Sequence, residues 1–281
     1  MRLPLLQEQH VIELMKCHKH NKLFSIFVFV ILLQLNLLSH ANNYERIVSL
    51  DICSDWMLAR YANREQVVAL SPLLYQYPTE TEHHDWPTHD GTLEHILEFK
   101  PDLVITGEFN ATLLRSRLKE LGINVKTTLL PTSIKELVFY VHDFLNLIGS
   151  NNDGIRLSNY NKVAAEAPRL LLLGANANAT GTGTLENEIL ELAGWQNYIK
   201  STGYGKVDLE KLVQDPPDAI LWSSPTSPAL ANAFFEHAAL KKVMRNKPTL
   251  VLDDGRWQCA GPWTLQQIEK LNMLREKWFQ N

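Results

Sequence analysis

Aromatic side chains gather in the segments that follow the predicted strands of this sequence. Aromatic walls combined with a few amide, hydroxyl and guanidinium groups suit a bulky ligand that is partly planar and partly polar. A single tryptophan is more often a packing residue than a ligand contact, so the prediction depends on the set and not on any one member. The candidate ligand-binding residues are Trp56, Tyr75, Tyr77, Trp86, Asn176, Thr182, Trp222, Arg256, Trp257 and Trp263.

A second group of chemically capable side chains is a cluster of histidines and acids between residues 80 and 95. Neutral imidazole is the commonest transition-metal ligand, and His83 and His84 are the candidates within this cluster. Residues 169–281 offer only His237, so a metal site closed by both ends of the chain is poorly supplied. We therefore favour a solvated polar loop and predict no metal centre, with a metal role for His83 and His84 as the alternative.

Patterns typical of enzymes are weaker in this sequence than the pattern of aromatic residues after the strands. Ser49, Asp51 and Ser54 with distant histidines could form a hydrolytic triad, but the sequence has no Gly-x-Ser-x-Gly elbow. The stretch 174–184, rich in glycine and threonine, precedes a predicted helix as a phosphate-binding loop would, yet it lacks the closing Gly-Lys-Ser/Thr. We predict a flexible turn that lines a binding cleft, and no enzyme. A secreted hydrolase is the alternative.

The composition is that of an ordinary globular protein. The 281 residues are 45% hydrophobic and 21% charged, which is enough apolar material for a core. The formal net charge of −4 lacks the basic excess that phosphate neutralisation requires of a nucleic-acid binder. We therefore expect a small-molecule ligand and no nucleic-acid partner.

Residues 1–41 have the pattern of a secretory signal peptide. Three lysines precede the apolar run 23–38, and a cleavage-site pattern ends at Ala41. Translation could start at Met1 or Met15, and an uncleaved membrane anchor is the alternative. We expect export and cleavage near Ala41. The mature protein should be free of lipid, because no cysteine stands directly after the apolar run.

Cys53 and Cys259 are the two cysteines that remain after this cleavage. An even number of cysteines in an exported protein favours a disulfide. The sequence cannot place their Cα atoms within bonding range, so two free thiols are the alternative.

Short β-branched or leucine-rich runs alternate with helical periods along the rest of the chain. This alternation predicts parallel sheets with right-handed crossovers. Strands are predicted at 46–51, 66–71, 102–107, 124–130, 169–175, 218–223 and 249–253. Helices are predicted at 92–99, 111–121, 133–147, 184–193, 208–213 and 264–279.

One helix–strand unit occurs twice. A Leu-Glu pair opens a helix that ends at Pro-Asp before a buried strand, once at Glu94 and again at Glu210. The repeat predicts two similar α/β lobes, 42–132 and 169–281, joined by the mostly helical linker 133–168; chance recurrence of a common motif is the alternative. A single linker of this kind favours small rocking motions over a large closure.

The order of these motifs resembles the periplasmic substrate-binding proteins of ABC importers for ferric siderophores and cobalamin. The resemblance rests on the stretch 46–50, the repeated Leu-Glu and Pro-Asp unit, and Leu-Gly-Ile before a strand, and it covers nearly all of residues 44–280. It is clearest to a subgroup with a cysteine after the first strand and an Arg-x-Trp-x-Cys-Gly-Gly-Pro-like stretch near the end. Here these are Cys53 and residues 256–262, where Ala260 departs from the usual glycine.

The resemblance implies a class III type of fold, in which two Rossmann-like α/β lobes hold the ligand between them. It implies a periplasmic protein that captures a metal chelate, such as a ferric siderophore, or a cobalamin-like corrinoid. Such a protein has no cofactor of its own and delivers its ligand to an inner-membrane ABC permease; we expect a monomer. Haem or a bare zinc or manganese ion is the alternative ligand within the same fold.

The resemblance also assigns roles to four residues. Proteins of this family dock with one exposed glutamate on each lobe against arginines of the permease, and Glu94 and Glu210 match those positions. Cys53 and Cys259 should both approach the interlobe face, either bridged or near the ligand.

Overall fold

The computed structural model describes residues 44–75, 85–151, 155, 166–223, 236–251, 257 and 259–279. These residues belong to one compact unit, Tyr44–Asn281. The predicted signal peptide lies outside the described residues, as do Tyr77, His83, His84 and Arg256. No helix within the described part of the chain is long and apolar enough to cross a membrane.

The N-terminal lobe is built on a four-stranded, all-parallel sheet in the order β2-β1-β3-β4. Its central strands β1 and β3 are buried on both faces, which explains their continuous apolar sequences. The strands are β1 (Ile47–Ser49), β2 (Val67–Ala69), β3 (Leu103–Gly107) and β4 (Val125–Thr128). The helices are α1 (Ile52–Tyr61), α2 (Leu93–Glu98) and α3 (Thr112–Glu120).

The linker helix α4 (Ile134–Leu147) begins where the sequence predicts. The Ser133 side chain caps it by accepting a hydrogen bond from the Glu136 backbone N–H. Its buried residues, among them Ile134, Leu137 and Val141, recur every three or four positions and form one face. This face packs into the main core of the molecule.

The C-terminal lobe contains a mixed six-stranded sheet. Strands β10, β9 and β5 are parallel, β6 and β8 continue the sheet antiparallel, and β7 pairs with β5. The strands are β5 (Arg169–Leu173), β6 (Asn178–Thr180), β7 (Gln196–Asn197), β8 (Tyr204–Lys206), β9 (Ala219–Trp222) and β10 (Thr249–Val251). The helices are α5 (Leu185–Leu192), α6 (Leu209–Gln214), α7 (Ala238–Met244) and α8 (Thr264–Phe279).

The prediction of a flexible turn over 174–184 is wrong, because this stretch contains strand β6. The backbone of β6 pairs with β5 on one side and β8 on the other. Gly181, just after β6, lies so close to the Ser201 carbonyl oxygen that an added Cβ would come within 1.9 Å of it. The glycine therefore serves close strand packing and not loop flexibility.

The repeated unit uses the same contacts in both lobes. Asp102 accepts hydrogen bonds from the backbone N–H groups of Glu45 and Arg46, at the entry to β1. Asp218 accepts the equivalent bond from the backbone N–H of Arg169, the first residue of β5. Each arginine side chain also donates to a carbonyl oxygen just before its Pro-Asp pair. The sequence repeat therefore corresponds to a structural one.

The two lobes share one hydrophobic core. It includes Ile47 of the first sheet, Leu137 of the linker helix and Leu170 of the second sheet, all almost fully buried. Hydrogen bonds cross the same boundary, since the Ile134 backbone N–H donates to Glu188 on α5. A shared core resists separation of the lobes, because opening it would expose apolar surface.

Candidate functional site

The carboxyl ends of β1, β3 and β4 surround a pocket of about 240 Å³, which we call the N-lobe pocket. Open parallel sheets bind ligands at this end of their strands. The pocket is lined by Asp51, Cys53, Gly107, Glu108, Phe109, Asn110, Thr128, Leu129, Leu130, Pro131, Tyr140 and Ala260. All but Cys53, Tyr140 and Ala260 lie in or directly after these three strands.

Asp51 organises the base of the N-lobe pocket. Its Oδ1 accepts from the backbone N–H groups of Cys53 and Ser54, which caps α1, and its Oδ2 accepts from the Gly107 backbone N–H at 2.7 Å. The Ser54 hydroxyl donates to the same Oδ2 at 2.9 Å. The carboxylate therefore fixes the end of β1 to the end of β3, and it accepts from three backbone N–H groups and one hydroxyl.

The residues considered for a hydrolytic triad are buried and occupied elsewhere. Ser49 is fully buried and its hydroxyl donates to the Asp51 carbonyl oxygen. His89 Nε2 lies 2.7 Å from the Ser49 carbonyl oxygen, not from its hydroxyl. Burial lowers the pKa of His89. The Ser54 hydroxyl donates to Asp51, and neither the Ser49 nor the Ser54 hydroxyl contacts a histidine among the described residues.

A disulfide joins the two lobes beside this pocket. Cys53 on α1 and Cys259, before α8, have a Cα–Cα distance of 5.0 Å and stand 206 positions apart in sequence. The Trp263 indole N–H donates to the Cys259 carbonyl oxygen at 2.7 Å, and its ring meets Trp56 edge-on at 5.7 Å between centroids. This bridge and the aromatic pair hold the start of α8 against the first lobe.

A second pocket lies between the lobes, and we call it the interlobe pocket. Its volume is about 30 Å³, and it shares Leu130, Pro131 and Ala260 with the N-lobe pocket. It is lined by Leu130, Pro131, Leu185, Glu186, Ile189, Tyr204, Trp257, Cys259, Ala260, Thr264 and Gln267. Both lobes contribute, so the two pockets together form one interlobe groove.

Glu186, in the first turn of α5, is the charged residue of the interlobe pocket. Its carboxylate accepts a hydrogen bond from the Tyr204 hydroxyl at 3.0 Å. Burial raises the pKa of Glu186, and none of the ion pairs formed within the described ranges includes it. Burial and the neighbouring Glu186 also raise the pKa of Tyr204.

A third cavity of about 510 Å³, the outer groove, runs between β4 and α4. It combines the exposed ring of Phe139 with an ion pair in which Lys126 Nζ lies 2.7 Å from Asp143. Tyr140 lines both this groove and the N-lobe pocket, and burial followed by the charge of Asp51 raises its pKa. The described lining of this cavity comes from β4, α4 and the loops beside them, with no contribution from the C-terminal lobe.

The predicted ligand-binding tryptophans divide into two groups. Trp257 lines the interlobe pocket and is half-buried, and Trp222 is half-buried at the end of β9. Trp56, Trp86 and Trp263 are only 4%, 3% and 8% exposed and belong to the core, so placing them on an open cleft wall was wrong.

Local contacts explain the burial of Trp86. The segment that contains it pairs with the end of β2, through hydrogen bonds of Leu70 with Pro87 and His89. The Arg64 guanidinium covers the indole ring at 4.0 Å from its centroid. The ring is therefore covered by Arg64 and belongs to the main core.

The remaining polar candidates lie apart from the interlobe pocket. The Tyr75 hydroxyl donates to the Trp86 carbonyl oxygen, and the Tyr75 side chain is exposed. Thr182 donates to the Ser201 carbonyl oxygen, and Asn176 is exposed in the turn between β5 and β6. Tyr75, Thr182 and Asn176 are all absent from the described lining of the three cavities.

Sequence analysis missed Glu186, Tyr204 and Gln267 as residues of the groove. The predicted helix start at Thr184 placed Glu186 in a first turn, which was the available signal. Tyr204 lies on strand β8, which the sequence did not predict. Gln267 is one of many polar residues in helix α8, and nothing in the sequence distinguishes it from the others. Their meeting depends on how α8 packs against α5.

No group of three or more metal-ligating side chains occurs among the residues that the structure describes. His95 instead contacts Asp90 at 3.4 Å and stacks on Phe99. His237 caps α7 through its Nδ1.

No family model and no curated protein matches the chain. Several solved structures match the chain. A possible iron-binding (periplasmic solute-binding) protein of Staphylococcus epidermidis is 18% identical, with a TM-score of 0.62 over 85% of this chain and 100% of that one. A periplasmic haem-binding protein of Pseudomonas aeruginosa is 18% identical, with a TM-score of 0.61 over 84% and 93%.

A periplasmic vitamin B12-binding protein of Vibrio cholerae is also 18% identical, with a TM-score of 0.59 over 85% of this chain and 99% of that one. Sequence identities this low support a shared fold and not a shared function. The chain has the class III fold of these periplasmic binding proteins, two α/β lobes joined by a helical linker.

Proposed function

We propose that this chain is the periplasmic substrate-binding component of an ABC importer. It captures a metal chelate or a cobalamin-like corrinoid in the interlobe groove and delivers it to an inner-membrane permease. The function needs affinity and no chemical step. The observation that carries this proposal is the groove itself, which both lobes line at the carboxyl ends of the N-terminal strands.

Three further features support the proposal. The fold is shared with proteins named for binding iron, haem and vitamin B12. A disulfide between the lobes suits an oxidising compartment outside the cytoplasm. Glu94 and Glu210, the proposed docking residues, are both exposed in the first turns of equivalent helices.

The ligand class is tested by tryptophan-fluorescence titration of the mature chain. The panel comprises cobalamin, haem, several ferric siderophores, and free zinc and manganese ions. We expect saturable quenching by at least one chelate or corrinoid at one ligand per chain. Saturation by a free metal ion alone would replace the proposal with the metal-binding alternative, and turnover of ester or phosphate substrates would replace it with a hydrolase.

A further inference from the structure

The interlobe pocket contains two buried polar atoms without a hydrogen-bond partner. Gln267 is 2% exposed, and its Oε1 accepts no hydrogen bond within the described part of the chain. The Trp257 indole Nε1, on the same pocket, likewise donates none. An unsatisfied buried polar group costs about 1–3 kcal/mol, so such groups in a native protein call for an explanation. One acceptor and one donor on two residues that line the same pocket fit a ligand group that carries both functions.

The pocket also has an uncompensated acid. Glu186 accepts from the Tyr204 hydroxyl, and no described lysine, arginine or histidine forms an ion pair with it. Burial raises its pKa. A second carboxylate brought into this pocket would meet electrostatic repulsion from the half-buried Glu186.

The same sign of charge continues into the N-lobe pocket. Asp51 and Glu108 line it, and no lysine or arginine occurs in the described lining of either pocket. Glu108 Oε1 accepts from the Leu130 backbone N–H at 2.7 Å, which holds this acid at the junction of the two pockets. The negative charges of Asp51, Glu108 and Glu186 disfavour a ligand that presents several anionic groups to these described residues.

The size of the interlobe pocket limits what enters it. A volume of about 30 Å³ admits one small polar group and excludes the body of a bulky ligand. The body of a bulky ligand must then lie over the larger N-lobe pocket, with one peripheral group inserted between Trp257 and Gln267.

We propose that this pocket selects a peripheral ligand group that is neutral or cationic and donates hydrogen bonds, such as a primary amide or an ammonium, and that it rejects a carboxylate. The two N–H groups of an amide would donate to Gln267 Oε1 and Glu186, and the amide oxygen would accept from Trp257 Nε1. This inference rests on the proposed function, because it specifies the ligand of the same groove.

Matched pairs of probes test the inference. The pairs are a corrin with amide side chains and its carboxylic acid counterpart, haem diamide and haem, and a ferric trihydroxamate ending in an ammonium or in a carboxylate. In the pair that binds best, we expect the amide or ammonium member to have a Kd at least about tenfold lower, as removal of one repulsive contact allows. Equal or tighter binding of the carboxylate member overturns the inference and leaves the proposed function intact. Binding of none of the six overturns both.

Two variants separate specificity from folding. Glu186→Gln should bring the two dissociation constants of the best pair to within about threefold, because it removes the charge and keeps the shape. Glu191→Gln, on the exposed side of the same helix, is the matched control and should keep the parent ratio. An unchanged ratio in Glu186→Gln contradicts the inference.

Gln267→Met removes the unpartnered acceptor at similar volume. It should weaken the amide ligand several-fold while the melting temperature stays level or rises, since a buried polar atom without a partner is lost. A large fall in melting temperature with unchanged affinity would show that Gln267 serves only the fold.

Discussion

At the scale of single residues, burial decides which aromatic side chains can meet a ligand. Trp257 and Trp86 both follow strands in the sequence, yet Trp257 lines the interlobe pocket and Trp86 lies under Arg64 in the core. Sequence shows that an aromatic residue follows a strand but not which way its ring turns. That choice depends on pairing between distant segments, here the end of β2 with the segment 85–89.

The two tryptophans should therefore respond differently to truncation. Trp257→Ala should weaken ligand binding and change the melting temperature little, because its ring is half-buried at a pocket. Trp86→Ala should lower the free energy of unfolding by about 3–5 kcal/mol, the usual cost of removing a buried aromatic side chain. Titration and denaturant unfolding of both variants check this, and a stability loss confined to Trp257→Ala would reverse the assignment.

Asp55 is a buried acid that the binding site does not use. Burial raises its pKa to about 7, against the hydrogen bonds donated by Ser71. The unfolded chain releases this proton near pH 4, so between about pH 4 and 7 the folded state binds more protons than the unfolded state. Stability from this group is therefore full at low pH and falls as pH rises to about 7.

Asp55→Asn should remove this pH dependence, since an amide does not titrate in this range. Urea unfolding of parent and variant at several pH values between about 4.5 and 7.5 measures the difference in their free energies of unfolding. The parent should lose stability relative to the variant as pH rises. Parallel profiles would show that Asp55 titrates normally.

At the scale of elements, sequence predicted what local pattern controls and missed what tertiary pairing controls. Each predicted strand contains an observed one. Strands β1, β3, β5 and β9 are buried on both faces and read as continuous apolar runs. The less buried β2, β4 and β10 are rich in β-branched residues, which favour strands. Helix α1 escaped prediction because residues on most of its faces are buried, which removes the amphipathic period. Strands β6 and β8 have short polar sequences and exist through pairing with their neighbours.

The repeated helix start carries a prediction about the partner. Glu94 and Glu210 follow the capping residues Thr92 and Asp208, and a carboxylate at this position gains about 0.3–1 kcal/mol from the helix dipole. The double variant Glu94→Lys and Glu210→Lys should lose permease binding, most strongly at low salt, with ligand affinity unchanged.

The matched control reverses two other exposed glutamates, one in each lobe, as Glu98→Lys and Glu191→Lys. Permease binding in proteoliposomes measures both double variants against the parent. If the Glu94 and Glu210 double variant binds the permease as well as the parent and the control do, the docking role fails. The helix-start role alone then explains Glu94 and Glu210.

At the scale of the whole molecule, the shared core, the Cys53–Cys259 bridge and the Trp56–Trp263 contact join the lobes at several points. Ligand capture should therefore proceed with small rocking and without a large closure. A groove held in this way is preorganised, which reduces the entropy lost when a ligand binds.

Oxidative footprinting of the chain with its tightest-binding ligand tests most directly whether the interlobe groove is the binding site. Tyr204 is 59% exposed and Trp257 half-buried on the interlobe pocket, whereas Phe139 is 73% exposed on the outer groove. We expect the ligand to protect Tyr204 and Trp257 and to leave the reactivity of Phe139 unchanged. Protection of Phe139 with no change at Tyr204 and Trp257 would contradict the account.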